Sequence, residues 1–224
     1  MNKTTKTLAA TVAIIGSLGA AGTAAAQHDE VKNDKVAKYT YSLDSVQRDF
    51  ADVPTPTGTT KVMALPNGNV KVDIEASNLV PNAPHAQHLH DKIGPDTSSC
   101  PTPADDADGD GIMSVLEGAP AYGGIVLSLT TTGDFSASSA LALDRFPVAD
   151  ADGNLSYSRQ FPASTMVADG VTLGDVAGSA QVVVHGIDVN ANGVYDFEAG
   201  PSSLTDAAPI EATAPALCGG TPLN

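Results

Sequence analysis

The sequence predicts an all-β domain, and three observations carry that prediction. Short apolar-bearing runs alternate with Gly-, Pro- and Asp-rich turns along most of the chain. Residues 60–65 and 70–77 flank Pro66-Asn67-Gly68-Asn69, and Asn-Gly between two such runs is a strong hairpin signal. No stretch carries a sustained helical stripe bounded by caps.

The elements follow in chain order. Residues 1–26 have the make-up of a secretory signal peptide. Lys3 and Lys6 make a positive start, residues 8–22 are apolar and uncharged, and Ala24-Ala25-Ala26 is a small-residue cleavage pattern. Residues 27–59 form an N-terminal segment with one short strand at 38–43 and a connection at 52–59 that holds Pro54 and Pro56. Residues 60–224 form the β domain. In its second run Val70, Val72, Ile74 and Ala76 alternate with Lys71, Asp73, Glu75 and Ser77, so one face is buried and the other wet. Further strands are expected at 124–129, 155–161 and 180–184, with Asp150-Ala151-Asp152-Gly153-Asn154 as the turn before the middle one. Residues 91–122 and 190–216 lack strand character, and loops of that length inside a compact domain are pinned or functional.

Composition narrows the function classes. The 26 acidic residues against 11 basic ones leave a formal charge of −15, which argues against nucleic acid or an anionic membrane surface as partner. Metal ions or a small molecule remain as partners, and no membrane span is expected. The signal peptide implies a secreted, periplasmic or cell-surface protein. In such an oxidising compartment Cys100 and Cys218 form one disulfide by default, two buried thiols being the other option.

Five histidines occur, and three crowd into Pro84-His85-Ala86-Gln87-His88-Leu89-His90. On a strand His88 and His90 point to the same face, which makes half a metal site. His185 ends the apolar run Val182-Val183-Val184 and can approach from a neighbouring strand. An all-imidazole set suits copper, zinc or nickel. Two solvent-facing polar residues are the other reading of an isolated H-x-H. His28 has a reading of its own: cleavage after Ala25 would place it third in the mature chain, a Cu(II)/Ni(II) chelate type.

The context of these residues resembles Cu/Zn superoxide dismutase. An alternating strand and a short turn precede H-x-x-H-x-H (His85, His88, His90), and Cys100 follows ten residues later. Val183-Val184-His185 matches the late V-V-H of that family, and Leu217-Cys218-Gly219 matches its A-C-G. The resemblance spans roughly residues 60–218 and implies a Greek-key β-barrel or flattened sandwich. It implies copper at His88, His90 and His185, a packing role for His85, and a Cys100–Cys218 disulfide. It also implies superoxide, a small anion, as substrate. The bridging and zinc histidines of that family are absent, because no histidine lies between His90 and His185, so zinc is not expected. Asp144 stands where the zinc aspartate falls. The guiding arginine is absent too, with Pro215, Ala216 and Leu217 in its place. The histidines also resemble those of the chordin-type domain, which implies a non-catalytic module.

Where a zinc loop would run, Asp106, Asp108 and Asp110 occupy positions 1, 3 and 5 of a twelve-residue calcium loop. Gly111 is at 6, the Ile112 carbonyl at 7, Ser114 at 9 and Glu117 at 12. The Pro-rich segment before it and the Gly-rich one after it suggest a clip inside a β domain rather than a helix–loop–helix unit. Asp188, Asn190, Asn192 and Asp196 make a weaker second calcium loop, with Ala199 at position 12 and Glu198 one residue early. Two functions are therefore expected: a copper-dependent extracytoplasmic dismutase, or a non-enzymatic, calcium-stabilised β module.

Overall fold

The computed structural model describes residues 37–220. The signal-peptide reading and His28 fall outside the described residues. Among the described residues twelve strands occur in chain order: β1 (Ala37–Ser45), β2 (Thr57–Ala64), β3 (Asn69–Ser77), β4 (Gln87–Asp91), β5 (Gly124–Ser128), β6 (Leu155–Pro162), β7 (Met166–Ala168), β8 (Val171–Thr172), β9 (Gln181–His185), β10 (Pro201–Ser202), β11 (Thr205–Pro209) and β12 (Pro215–Gly219). The same residues include three short α-helices: α1 (Val115–Tyr122), α2 (Leu173–Val176) and α3 (Ile210–Thr213). Among the described residues no helix is long and apolar enough to cross a membrane.

Eight strands form one antiparallel sheet in the order β5-β4-β9-β12-β1-β2-β3-β6, and β7-β8 and β10-β11 are small separate ladders. The chain crosses between the two halves of the large sheet at β3 to β4, β5 to β6 and β6 to β9, the crossed connections of a Greek key. The domain is all-β, and its sheet curls on itself. Val72 and Ile74 of β3, Phe161 of β6, Leu127 of β5 and Val182 of β9 share one core cluster. Near the two edges Tyr157 Oη donates to Thr130 O at 3.1 Å.

The hairpin forms as expected. β2 and β3 pair from Ala64↔Val70 to Thr57↔Ser77, and Val70, Val72, Ile74 and Ala76 are the buried positions. β1 is longer than the short strand read from the sequence and belongs to the same sheet as the rest. It pairs with β2 along most of its length and hands its end to β12 through Asp44↔Cys218 and Ser45↔Leu217.

β4, β9 and β12 are buried along their whole length, so both faces of this half of the sheet are covered. The inner face meets the core. The outer face is covered by the long 92–123 connection, whose Tyr122 packs with Val183 and Cys218. The cover is fastened in two places. Cys100 and Cys218 are bonded, with Cα atoms 5.7 Å apart across 118 residues. Gln47 donates to the carbonyls of Met113 (2.9 Å) and Pro215 (2.7 Å) and accepts from Met113 N–H.

The expectation that no helix follows the first acidic loop is corrected. α1 starts at the loop's last residues, with Ser114 as N-cap and Glu117 in its capping box. Tertiary packing of Tyr122 and the cap hold this helix even though it contains Pro120.

Candidate metal centre

His88 and His90 stand two residues apart on β4 and therefore share the outer face. His185 ends β9, the antiparallel neighbour of β4, with His88 opposite Val183. The three rings meet there: His88 lies 5.1 Å from His185 and 5.6 Å from His90 between centroids, and His90 lies 6.1 Å from His185. Each offers a ring nitrogen, and these nitrogens lie within 4.8 Å of one another. The trio is nearly sealed, at 3–4% exposure. Tyr122 stacks edge-on against His90 and Phe146 against His88.

Backbone carbonyls set two of the tautomers. His90 Nδ1 is 3.0 Å from Gly123 O, and His185 Nδ1 is 2.6 Å from Thr213 O. A carbonyl only accepts, so both Nδ1 atoms carry the proton and both Nε2 atoms keep a lone pair. Those two Nε2 atoms, and both nitrogens of His88, are buried without a hydrogen-bond partner. Burial pushes all three imidazoles towards the neutral form. Desolvation takes His90 down to about 3 and His185 to about 4. His88 falls well below the usual histidine range through burial and then through its two histidine neighbours. Neutral imidazoles with free lone pairs are the form that binds a metal. Gly123 at φ +87 makes the His90 contact possible, because a Cβ there would sit 2.5 Å from the Asp91 carbonyl group.

His85 lies outside the trio. It is fully buried, with Nδ1 2.9 Å from His185 O and Nε2 3.1 Å from Val80 O. Tyr195 Oη stands 3.1 Å from its Nδ1. Asp144 is exposed on a 3₁₀ turn and, among the described residues, joins no metal-competent group.

In the first acidic loop Asp106, Asp108 and Glu117 bring a carboxylate oxygen each within 4.8 Å of one another. The Asp110 carboxylate is not part of that group. Asp110 Oδ1 accepts from Ile112 N–H at 2.7 Å, and Ser114 Oγ caps α1. Ile112 is buried against the core. The second loop repeats the backbone turn of the first. Gly111 N–H donates to Asp106 and Gly193 N–H to Asp188, at 3.0 and 2.8 Å. Asn190 and Asn192 spend their amides on Asp196 and Glu198. The residue that closes this loop was not read from the sequence: Glu211 of α3, fully buried, accepts from Val189 N–H at 2.9 Å and Asp196 N–H at 2.8 Å. It comes from outside the loop, after Pro209 and Ile210, so no loop pattern signals it. The carbonyls of Gly123 and Thr213 carry no side-chain signal at all.

Fold and site together define a curled antiparallel β protein with a buried cluster of three imidazoles. No protein-family model and no curated protein matches the chain. Solved structures similar to it include superoxide dismutase 5 of Candida albicans. A single-residue mutant of that protein shares 14% identity at a TM-score of 0.39, covering 84% of this chain and 93% of that one. Its Cu(II) form shares 15% at 0.36, covering 84% and 94%. A superoxide dismutase-like protein from Bacillus subtilis shares 17% at 0.38, covering 80% and 95%.

Proposed function

We propose that this chain is an exported copper-binding protein of superoxide dismutase-like type, with His88, His90 and His185 as the ligands and superoxide as the small anion turned over. One observation carries the metal reading: three buried imidazoles bring one ring nitrogen each within 4.8 Å of one another, and the Nε2 atoms of His90 and His185 have no hydrogen-bond partner. A buried polar group left unpaired costs about 1–3 kcal/mol, and a cation relieves that cost. The donor set, imidazole without thiolate, suits copper and leaves open positions. Copper, when bound, supplies one-electron redox chemistry. The chain does the rest. Gly123 O and Thr213 O hold two rings with Nε2 free, and Tyr122 and Phe146 keep water from the ring faces. The disulfide and the signal-like residues 1–26 support export. Asp106, Asp108 and Glu117 hold calcium in this reading, with Asp188, Asn190, Asn192 and Asp196 as a weaker second site.

The formal charge of −15 repels an anionic substrate, and electrostatic steering is worth about 10–10³ in association rate. Turnover is therefore expected well below the diffusion limit and without a fall on adding salt. The test is copper titration followed by superoxide consumption. One copper per chain, lost in His185→Ala, and activity above free-copper controls support the reading. No copper binding at neutral pH overturns it. Stoichiometric copper without activity leaves the second reading, a non-enzymatic, calcium-stabilised module of chordin or degenerate dismutase kind. The near-complete burial of the trio favours that alternative.

A further inference from the structure

Two loop–helix units approach the histidines in the same manner. In the first, Glu117 Oε1 accepts from Ala107 N–H and Oε2 from Ser114 N–H, both at 2.9 Å. These are the second and ninth residues of the loop that starts at Asp106. In the second, Glu211 Oε1 accepts from Val189 N–H and Oε2 from Asp196 N–H. These are again the second and ninth residues, counted from Asp188. Each glutamate sits in the first turn of a short helix, Glu117 in α1 and Glu211 in α3. The far end of each helix supplies the carbonyl that holds an imidazole: Gly123 O for His90 and Thr213 O for His185. A continuous run of bonded groups thus leads from each acidic loop, through a glutamate and a helix, to one ring nitrogen.

We propose that Glu117 and Glu211 are positioning residues for the trio, Glu117 setting His90 through α1 and Glu211 setting His185 through α3. This rests on the trio being a metal site, although the device works without a metal in place. Helices of eight and four residues are too short to hold themselves in water. Bonds from N–H groups to a carboxylate are stronger than neutral ones and pin their first turns. Without the pin the helix end drifts, and its carbonyl no longer selects the Nδ1–H tautomer. An imidazole that moves its proton to Nε2 keeps its lone pair on Nδ1, turned towards the helix carbonyl, and no longer offers one on Nε2. Loss of such outer partners typically lowers metal affinity about 10–100-fold.

The test reads the ring nitrogens directly, by ¹⁵N NMR of the metal-free full chain. Glu117→Ala, Glu211→Ala and Glu211→Gln are compared with wild type and with Asp175→Ala. Asp175 Oδ2 accepts from Thr172 N–H at 2.9 Å at the start of α2, a capping bond of the same kind. α2 offers no carbonyl to a histidine of the trio. Glu211→Ala is expected to turn His185 from the Nδ1–H form to a tautomer mixture and to leave His90 alone. Glu117→Ala is expected to do the reverse, and Asp175→Ala to change neither. Glu211→Gln keeps one acceptor and shifts His185 in the same direction by less, which decides the matter if the alanine variant does not fold. In chelator competition the two alanine variants should bind Cu(II) about 10–100-fold more weakly. Unchanged tautomers overturn the proposal. So does equal disturbance of both histidines by either variant, or a matching effect of Asp175→Ala, since each would mean general loosening. If the wild type binds no copper, the metal reading fails while the NMR comparison still decides the positioning role.

Discussion

Lowering the pH of the metal-free protein from 7 to 5 should cost it several kcal/mol of stability. The three imidazoles are neutral in the fold, with His90 near 3, His185 near 4 and His88 well below the usual range, all chiefly through burial. In the unfolded chain each returns to about 6.5. The folded values are depressed, so the unfolded state binds more protons below 6.5. The stabilisation is complete above that pH and is lost as pH falls towards 4. Between pH 7 and 5 His90 and His185 each remove about 2 kcal/mol and His88 acts in the same direction, against a total stability of about 5–15 kcal/mol. His85, also lowered by burial, acts in the same direction. Glu211, whose carboxyl burial pushes up, acts in the opposite one. Denaturant titrations in chelator at pH 7, 6 and 5, followed by circular dichroism, measure the slope. His185→Gln should remove its own share of about 2 kcal/mol, and copper should flatten the slope because the metal competes with protons. Metal-free stability that stays within about 1 kcal/mol from pH 7 to 5 would refute the reasoning, since no buried neutral trio could behave so.

Three further outcomes are expected. Reducing Cys100–Cys218 releases a loop spanning 118 residues and should cost about 4–5 kcal/mol on chain entropy; denaturation midpoints with and without reductant check this, and equal midpoints would contradict it. Millimolar calcium should raise the melting temperature, with binding at roughly 10⁻⁴–10⁻³ M, and Asp108→Ala combined with Glu117→Gln should remove the rise; identical melting in calcium and in chelator would rule the loop out. Gly186→Ala places a Cβ against the Tyr195 hydroxyl and 2.7 Å from His85 Nδ1, at φ +109. It should destabilise by about 1–3 kcal/mol through overpacking alone and weaken copper binding at the adjacent His185, and a melting temperature equal to wild type would argue against this packing.

Patterns that repeat along the chain were legible without a structure. Period-two alternation marked β3, and Asn67-Gly68 marked its hairpin with β2, because side-chain direction and turn geometry are local properties. β12 and the true extent of β1 were not legible. Pro215–Gly219 shows no alternation, since a strand covered on both faces needs none. α1 was missed although Ser114 and Glu117 spell a capping box, because the same residues also fit the end of a calcium loop.

For the histidines, residue type and spacing alone determined which imidazoles were candidates. A strand places His88 and His90 on one face wherever it lies in the sheet. The tertiary structure decided what those side chains meet. The antiparallel pairing of β4 with β9 brought His185 alongside, a relation between residues about a hundred positions apart that no local pattern encodes. It also decided which nitrogens are free, through the carbonyls of Gly123 and Thr213, which every residue type possesses and only the fold can aim. Glu211 belongs to the same class. Its carboxylate reaches the second acidic loop from a different helix, because long-range packing, and not sequence neighbourhood, sets which groups share a buried space.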